Sequence, residues 1–195
     1  MASLKASPSW SAVAAAVRQL LGHELDAFLA SHLGDHTAPH SPVVTTIVNI
    51  LNADRWRAAG HEPSLVLGHS IGEVAAAYAS GMLSIDEAIR TPHVLGQAGA
   101  TCHGAMAHTL LTHTELVEWS DGEVCVAAVN GVIDGGMMSV TLSGEAERVE
   151  AWTALHPGTK RLTPPPHPWH HPMFLEVPSV RDGSVCATLP ACHGL

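Results

Sequence analysis

Ser70 stands in the string Leu65-Val66-Leu67-Gly68-His69-Ser70-Ile71-Gly72-Glu73-Val74-Ala75-Ala76-Ala77-Tyr78. An apolar run enters a Gly-x-Ser-x-Gly core, and an alanine-rich stretch of strong helix propensity leaves it. This order predicts strand, sharp turn, helix, with the serine at the apex and its hydroxyl lifted clear of the sheet. Glycines at 68 and 72 remove side chains that would crowd such a turn, and the helix behind it points its N-terminal amides at the serine. The chemistry on offer is nucleophilic: Ser70 attacks a carbonyl carbon and an oxyanion develops beside the helix start. A hydroxyl is a weak nucleophile at neutral pH, so a base must come within hydrogen-bond reach. The pentapeptide alone carries little information in a chain rich in Ala and Gly; the apolar run before it and the helical run after it give it weight.

The elements that must position this serine follow from periodicity. Trp10, Val13, Val17, Leu20, Leu21, Leu25, Phe28, Leu29 and Leu33 recur near a 3.6 period, which fits one or two helices over 9–33. The breaker-rich 34–42 is a loop, and Pro42 opens a helix over 43–59 that buries Val44, Ile47, Ile50, Leu51 and Trp56 and ends at Gly60. A strand over 65–67, the serine turn and a helix over 71–79 come next. Ser84 with Glu87 three residues on predicts an N-cap and capping box, and Pro92 is expected to interrupt or kink the helix that starts there. The glycine-rich 96–104 is expected to hold no strong helix. Strands are predicted at 105–111, 123–129, 138–142 and 159–162, with helices at 114–119 and 145–155. This β-α-β-β-α-β order is a ferredoxin-like split unit.

The chain has 195 residues, 46% of them hydrophobic and 14% charged, enough for one domain with a real core and too apolar for a disordered chain. A net charge of -9 argues against non-specific nucleic-acid binding, since it cannot neutralise phosphates. Four cysteines, at 102, 125, 186 and 192, form no Cys-x-x-Cys pair and read as reduced thiols. No apolar run reaches the length of a membrane span. The apolar patch from Trp10 to Val17 could imitate a targeting segment, but it continues with helical spacing into Arg18-Gln19-Leu20-Leu21. A cytoplasmic location is expected, with organelle targeting left open. Of the 15 histidines, many lie beside Pro, Gly or Thr and read as surface residues. His167, His170 and His171 could in principle hold a metal, a weaker reading than base or loop residue, and no metal is expected.

The wider string, from Gly68 through Tyr78 and on over Ser80-Gly81-Met82-Leu83-Ser84-Ile85-Asp86-Glu87-Ala88, resembles the acyltransferase domains of polyketide and fatty acid synthases, the malonyl-CoA:acyl-carrier-protein transacylase family. Val126-Ala127-Ala128-Val129-Asn130-Gly131 and Ser139-Val140-Thr141-Leu142-Ser143-Gly144 extend the resemblance, which covers roughly residues 42 to 175, so that part of such a domain is expected here. The resemblance implies an α/β fold: a hydrolase-like parallel sheet core with an inserted ferredoxin-like small subdomain. The expected layout is a core part with the nucleophile elbow over 1–104, the small subdomain over 105–165, and a His-bearing loop and unmatched tail over 166–195. In this family a histidine in an aromatic-His-Ser/His-Pro segment is the base. Pro168-Trp169-His170-His171-Pro172 matches it, placing the base on His170, with His171 the fallback. The Ile71 backbone N–H becomes one oxyanion donor, and His69 lines the pocket.

The implied reaction moves an acyl group from acyl-CoA to the phosphopantetheine thiol of an acyl carrier protein through an ester on Ser70. It needs no bound cofactor, and further synthase domains are possible partners. Three family features are not matched: a Gly-Gln-Gly oxyanion loop before the serine, a glutamine at the position of Ser41, and an arginine near Leu95 that pairs a malonyl carboxylate. Arg90 falls out of register, so acetyl or another monoacyl group is favoured over malonyl. Two other readings compete. A serine hydrolase or thioesterase would use Asp121 or Asp134 as the acid between Ser70 and a late histidine, and a degenerate, non-catalytic copy would stay unacylated.

Overall fold

The computed structural model describes residues 2–119, 122–162 and 167–173. These divide into two units, one of residues up to 35 and from 39 to 97, the other of residues 36–38 and from 98 onward.

Spacing of apolar residues builds the first unit from helices: α1 Ala2–Lys5, α2 Trp10–Leu21, α3 Leu25–His32, α4 Ser41–Ala58, α5 Gly72–Ala79, and the start of α6 Ile85–Thr101. Along α4, Val43, Ile47, Ile50 and Leu51 recur on one face and are fully buried together with Val13, Val17, Phe28, Leu29 and Ile89. Thr46 shares that face because its hydroxyl donates to the Pro42 carbonyl at 2.9 Å, so this hydroxyl is not buried unpaired. Trp56, expected on the buried face, is instead 63% exposed near the end of α4. Tyr78 of α5 donates to the buried Asp54 of α4 at 2.7 Å, a polar tie between the two helices.

Two expectations fail around this core. Residues 65–67 form no strand, and among the described residues of this unit there is no parallel sheet. A strand is defined by its ladder partner, and here every neighbouring described element is a helix or loop; Leu65 and Leu67 stand 73% and 85% exposed. In contrast, α6 runs through Pro92 and the glycines to Thr101. A proline in a helix interior costs about 3 kcal/mol. Burial of Ala88, Ile89 and Pro92, and the capping box closed by Ser84 N–H to Glu87 Oε2 at 2.8 Å, offset that cost. Gly96 is where the Pro39 carbonyl packs so closely that a Cβ would collide with it.

In the second unit the alternation of Ala105, Ala107 and Leu111 fixes one buried face of β1 Ala105–Leu111. It is followed by α7 His113–Val117, β2 Val124–Val132, a 3₁₀ turn Asp134–Gly136, β3 Met138–Gly144, α8 Ala146–Leu155 and β4 Lys160–Leu162. The sheet has the order β2-β3-β1-β4, every pair antiparallel, which is the split arrangement predicted by the element order. Val140, Leu142, Val124 and Val149 complete a core that shares no residue with the helical one. Register shifts in β2 between Val126 and Ala128 and between Val129 and Gly131 mark two irregularities on that edge. Thr112 caps α7 with a full capping box to Glu115.

Not all histidines lie at the surface. His32 and His40 pack with tilted rings, 4.1 Å between centroids, beside Phe28, and burial, then His32, pushes His40 below the usual imidazole range; burial does the same to His93.

Candidate active site

The turn that carries Ser70 forms without a ladder beneath it. Gly72, Glu73 and Val74 donate their amides to the carbonyls of His69, Ser70 and Ile71 at 2.9, 3.0 and 3.2 Å, so α5 begins immediately behind the serine. None of these bonds uses the Ile71 amide, which sits one residue past the serine at the positive end of the helix. Gly68 is required by packing, since a Cβ there would run into the backbone of Gly72 and Glu73. Gly72 is not: a Cβ on it would meet open space, so the expectation that both glycines relieve crowding holds only for the first.

Ser70 has φ of 54°, in the left-handed region, and its side chain is exposed, as is that of His69. A cavity of about 560 Å³ adjoins the turn, lined by 65–69 and Ile71, by Thr45, Asn49 and Ala53 of α4, and by Ala75, Ala76 and Ala79 of α5. No Lys, Arg, Asp or Glu contributes to this lining. Arg90 is exposed on α6 and faces Asp86, Gln19 and Leu20 instead.

His170 belongs to the second unit, so the two residues expected to work together lie in different units. It is exposed at a tight turn, φ 65°, closed by His171 N–H to the Pro168 carbonyl at 3.1 Å. Its own carbonyl accepts from Cys125 Sγ at 3.8 Å. His171 is turned into its own loop: Nδ1 accepts the Met173 amide at 3.1 Å, and Nε2 is buried without a partner. Among the described residues, Ser70 and His170 are the two non-glycine residues with positive φ. Left-handed geometry at a residue bearing a Cβ costs roughly 1–3 kcal/mol and persists where the surroundings enforce it, chiefly at functional sites.

Of the three histidines that could have shared a metal, His167 has both ring nitrogens on backbone groups, and no cluster among the described residues is arranged to hold an ion. Of the acids offered for a hydrolase triad, Asp121 lies outside the described residues and Asp134 opens the 3₁₀ turn. Burial pushes the Cys102 and Cys125 thiols up, and both are free. Cys186, Cys192 and the rest of the tail lie outside the described residues. Sequence reasoning did not single out Gly99 and Gly104, which seat the His170 loop.

Residues 3–156 match the family model described as acyl transferase domain. The chain belongs to that family. Its similarity to the polyketide synthase-nonribosomal peptide synthetase pyiS of Pyricularia grisea is 40% identity over 130 residues, covering 63% of this chain and 3% of that protein. Among solved structures, it is similar to a loading acyltransferase from the avermectin modular polyketide synthase, with 31% identity and a TM-score of 0.66 over 89% of this chain and 59% of that one. The malonyl-CoA:ACP transacylase of Synechocystis sp. PCC 6803 aligns with 25% identity and a TM-score of 0.70 over 98% of this chain and 64% of that one. The chain thus spans less than two thirds of the solved acyltransferase chains it matches, and a small fraction of the multidomain synthases. No helix among the described residues is long and apolar enough to cross a membrane.

Proposed function

We propose that this chain performs acyl transfer from acyl-CoA to the phosphopantetheine thiol of an acyl carrier protein, with Ser70 as nucleophile and His170 as base. The observation that carries this reading is that the two residues singled out from sequence are the two that the fold holds in left-handed strain. Ser70 Oγ attacks the thioester carbonyl while His170 takes its proton; the C–S bond breaks, and the proton passes to the departing CoA thiolate. His170 then takes the proton of the carrier thiol, whose sulfur attacks the Ser70 ester, and returns it to Ser70 Oγ as the C–O bond breaks. The Ile71 amide and the α5 dipole face the oxyanion formed in each half-reaction. His69 is one of the residues lining the adjoining cavity, which supports its reading as a pocket residue. Exposure of His170 and the inward turn of His171 favour the former as base.

A cavity lining without a cation supports an uncharged acyl group over a malonyl half-ester, because a buried carboxylate needs a partner. Family membership supports further synthase domains as partners. The test is intact-protein mass measurement after incubation with acetyl-CoA and, separately, malonyl-CoA. An acetyl adduct on the wild type that is absent from Ser70→Ala is expected. Folded wild-type protein that takes up neither group sinks the reading, and rapid release of free acid without a carrier would turn it toward a hydrolase.

A further inference from the structure

His167 is 5% exposed, and its ring nitrogens both meet backbone groups. Nε2 lies 3.2 Å from the Ala38 amide nitrogen, and Nδ1 lies 3.2 Å from the Cys102 carbonyl oxygen. An amide N–H can only donate and a carbonyl can only accept, so the lone pair must be on Nε2 and the proton on Nδ1. An imidazolium would set a second N–H against that of Ala38. The two backbone groups therefore fix the ring as neutral and as one tautomer. The residues that follow are seated on missing side chains: a Cβ on Gly104 would come within 2.7 Å of Pro168 Cβ, and one on Gly99 would collide with the Trp169 ring. From this footing the chain closes the Pro168–His171 turn and carries His170 at φ 65°. A strained residue needs its surroundings to over-determine it. Pro168 and Trp169 supply apolar seats, and His167 is a polar anchor at the loop's start, with Cys125 Sγ on the His170 carbonyl another further along.

We propose that His167 is the positioning residue of the His170 loop, a neutral Nδ1–H imidazole pinned between the Ala38 amide and the Cys102 carbonyl that holds 168–171 in the shape presenting His170. Its effect on acyl transfer rests on the proposed function; the anchor itself does not. Three variants of the full chain separate its two bonds. His167→Gln keeps an acceptor at the Nε2 position, His167→Asn keeps a donor at the Nδ1 position, and His167→Leu keeps neither.

Ring-nitrogen NMR on the wild type is expected to show Nε2 unprotonated and Nδ1 protonated at neutral pH. Exchange of the His171 amide should quicken in the leucine variant, and less in the glutamine and asparagine variants. Acyl loading of Ser70 should fall by roughly tenfold to a hundredfold in kcat, as for a misplaced catalytic group, with KM for acyl-CoA unchanged and partial recovery in the glutamine variant. An Nε2–H tautomer or an imidazolium in the wild type overturns the proposal, as does a folded leucine variant with wild-type His171 exchange. If that variant fails to fold, the wild-type tautomer and the two single-bond variants decide. A wild type that loads no acyl group defeats the functional reading alone, because tautomer and exchange still report on the anchor.

Discussion

A serine held at φ 54° loses stability that a glycine in the same place would keep. Ser70→Gly is therefore expected to unfold at a higher denaturant concentration than Ser70→Ala, by about 1 kcal/mol, with neither variant taking up an acyl group. His170→Ala should still bind acyl-CoA and slow Ser70 loading by roughly a hundred- to ten-thousandfold, the usual range for a lost general base, as read from the time course of the mass gain. The turn at Ser70 was legible because its needs are written locally, in the glycine at 68 and the helix formers after 72. The role proposed for His170 was legible only through the motif around it. His167 was not, because its partners are backbone groups 129 and 65 residues away, and a backbone amide leaves no mark in the sequence.

Between elements, the tie from Tyr78 on α5 to Asp54 on α4 gives a pH dependence with a definite sign. Burial and the hydrogen bond to Asp54 push the Tyr78 phenol up to about 12. From about pH 10 to about pH 12 the unfolded chain gives up a phenol proton that the folded chain keeps, so this stability is complete below that window and declines as pH rises through it. Tyr78 is the one tyrosine in the chain, so phenolate absorbance reports on it alone. Tyr78→Phe should remove the alkaline slope and cost about 1 kcal/mol near neutrality, read from denaturant unfolding. Helices with an apolar stripe, such as α4, and the alternating strands of the sheet were legible because each pattern names its own period. The course of α6 was not: Pro92 and Gly96 argue locally for a break, and only tertiary burial of Ala88, Ile89 and Pro92 overrides them. The strand expected at 65–67 fails for the converse reason, since local propensity cannot supply a ladder partner.

On the largest scale, the described residues form two apolar cores with no common member, one gathered around Ile47 and one around Leu142. Ile47→Ala and Leu142→Ala should each cost about 2–5 kcal/mol, and the double variant should lose the sum to within about 0.5 kcal/mol, measured by urea unfolding. A shortfall from additivity would mean that the two cores communicate. The antiparallel sheet guards its own margins: β2 is irregular at two points, and β4 is three residues long and carries Lys160 and Arg161. Leu65-Val66-Leu67 has no such protection, being irregular, apolar and uncharged, with its leucines in solvent. In a concentrated solution this segment is expected to recruit another chain, so that colloidal behaviour depends on it as well as on the bulk charge of -9. Leu67→Lys should suppress concentration-dependent light scattering at constant ionic strength, whereas the same charge placed at exposed Leu155 on α8 should leave it unchanged.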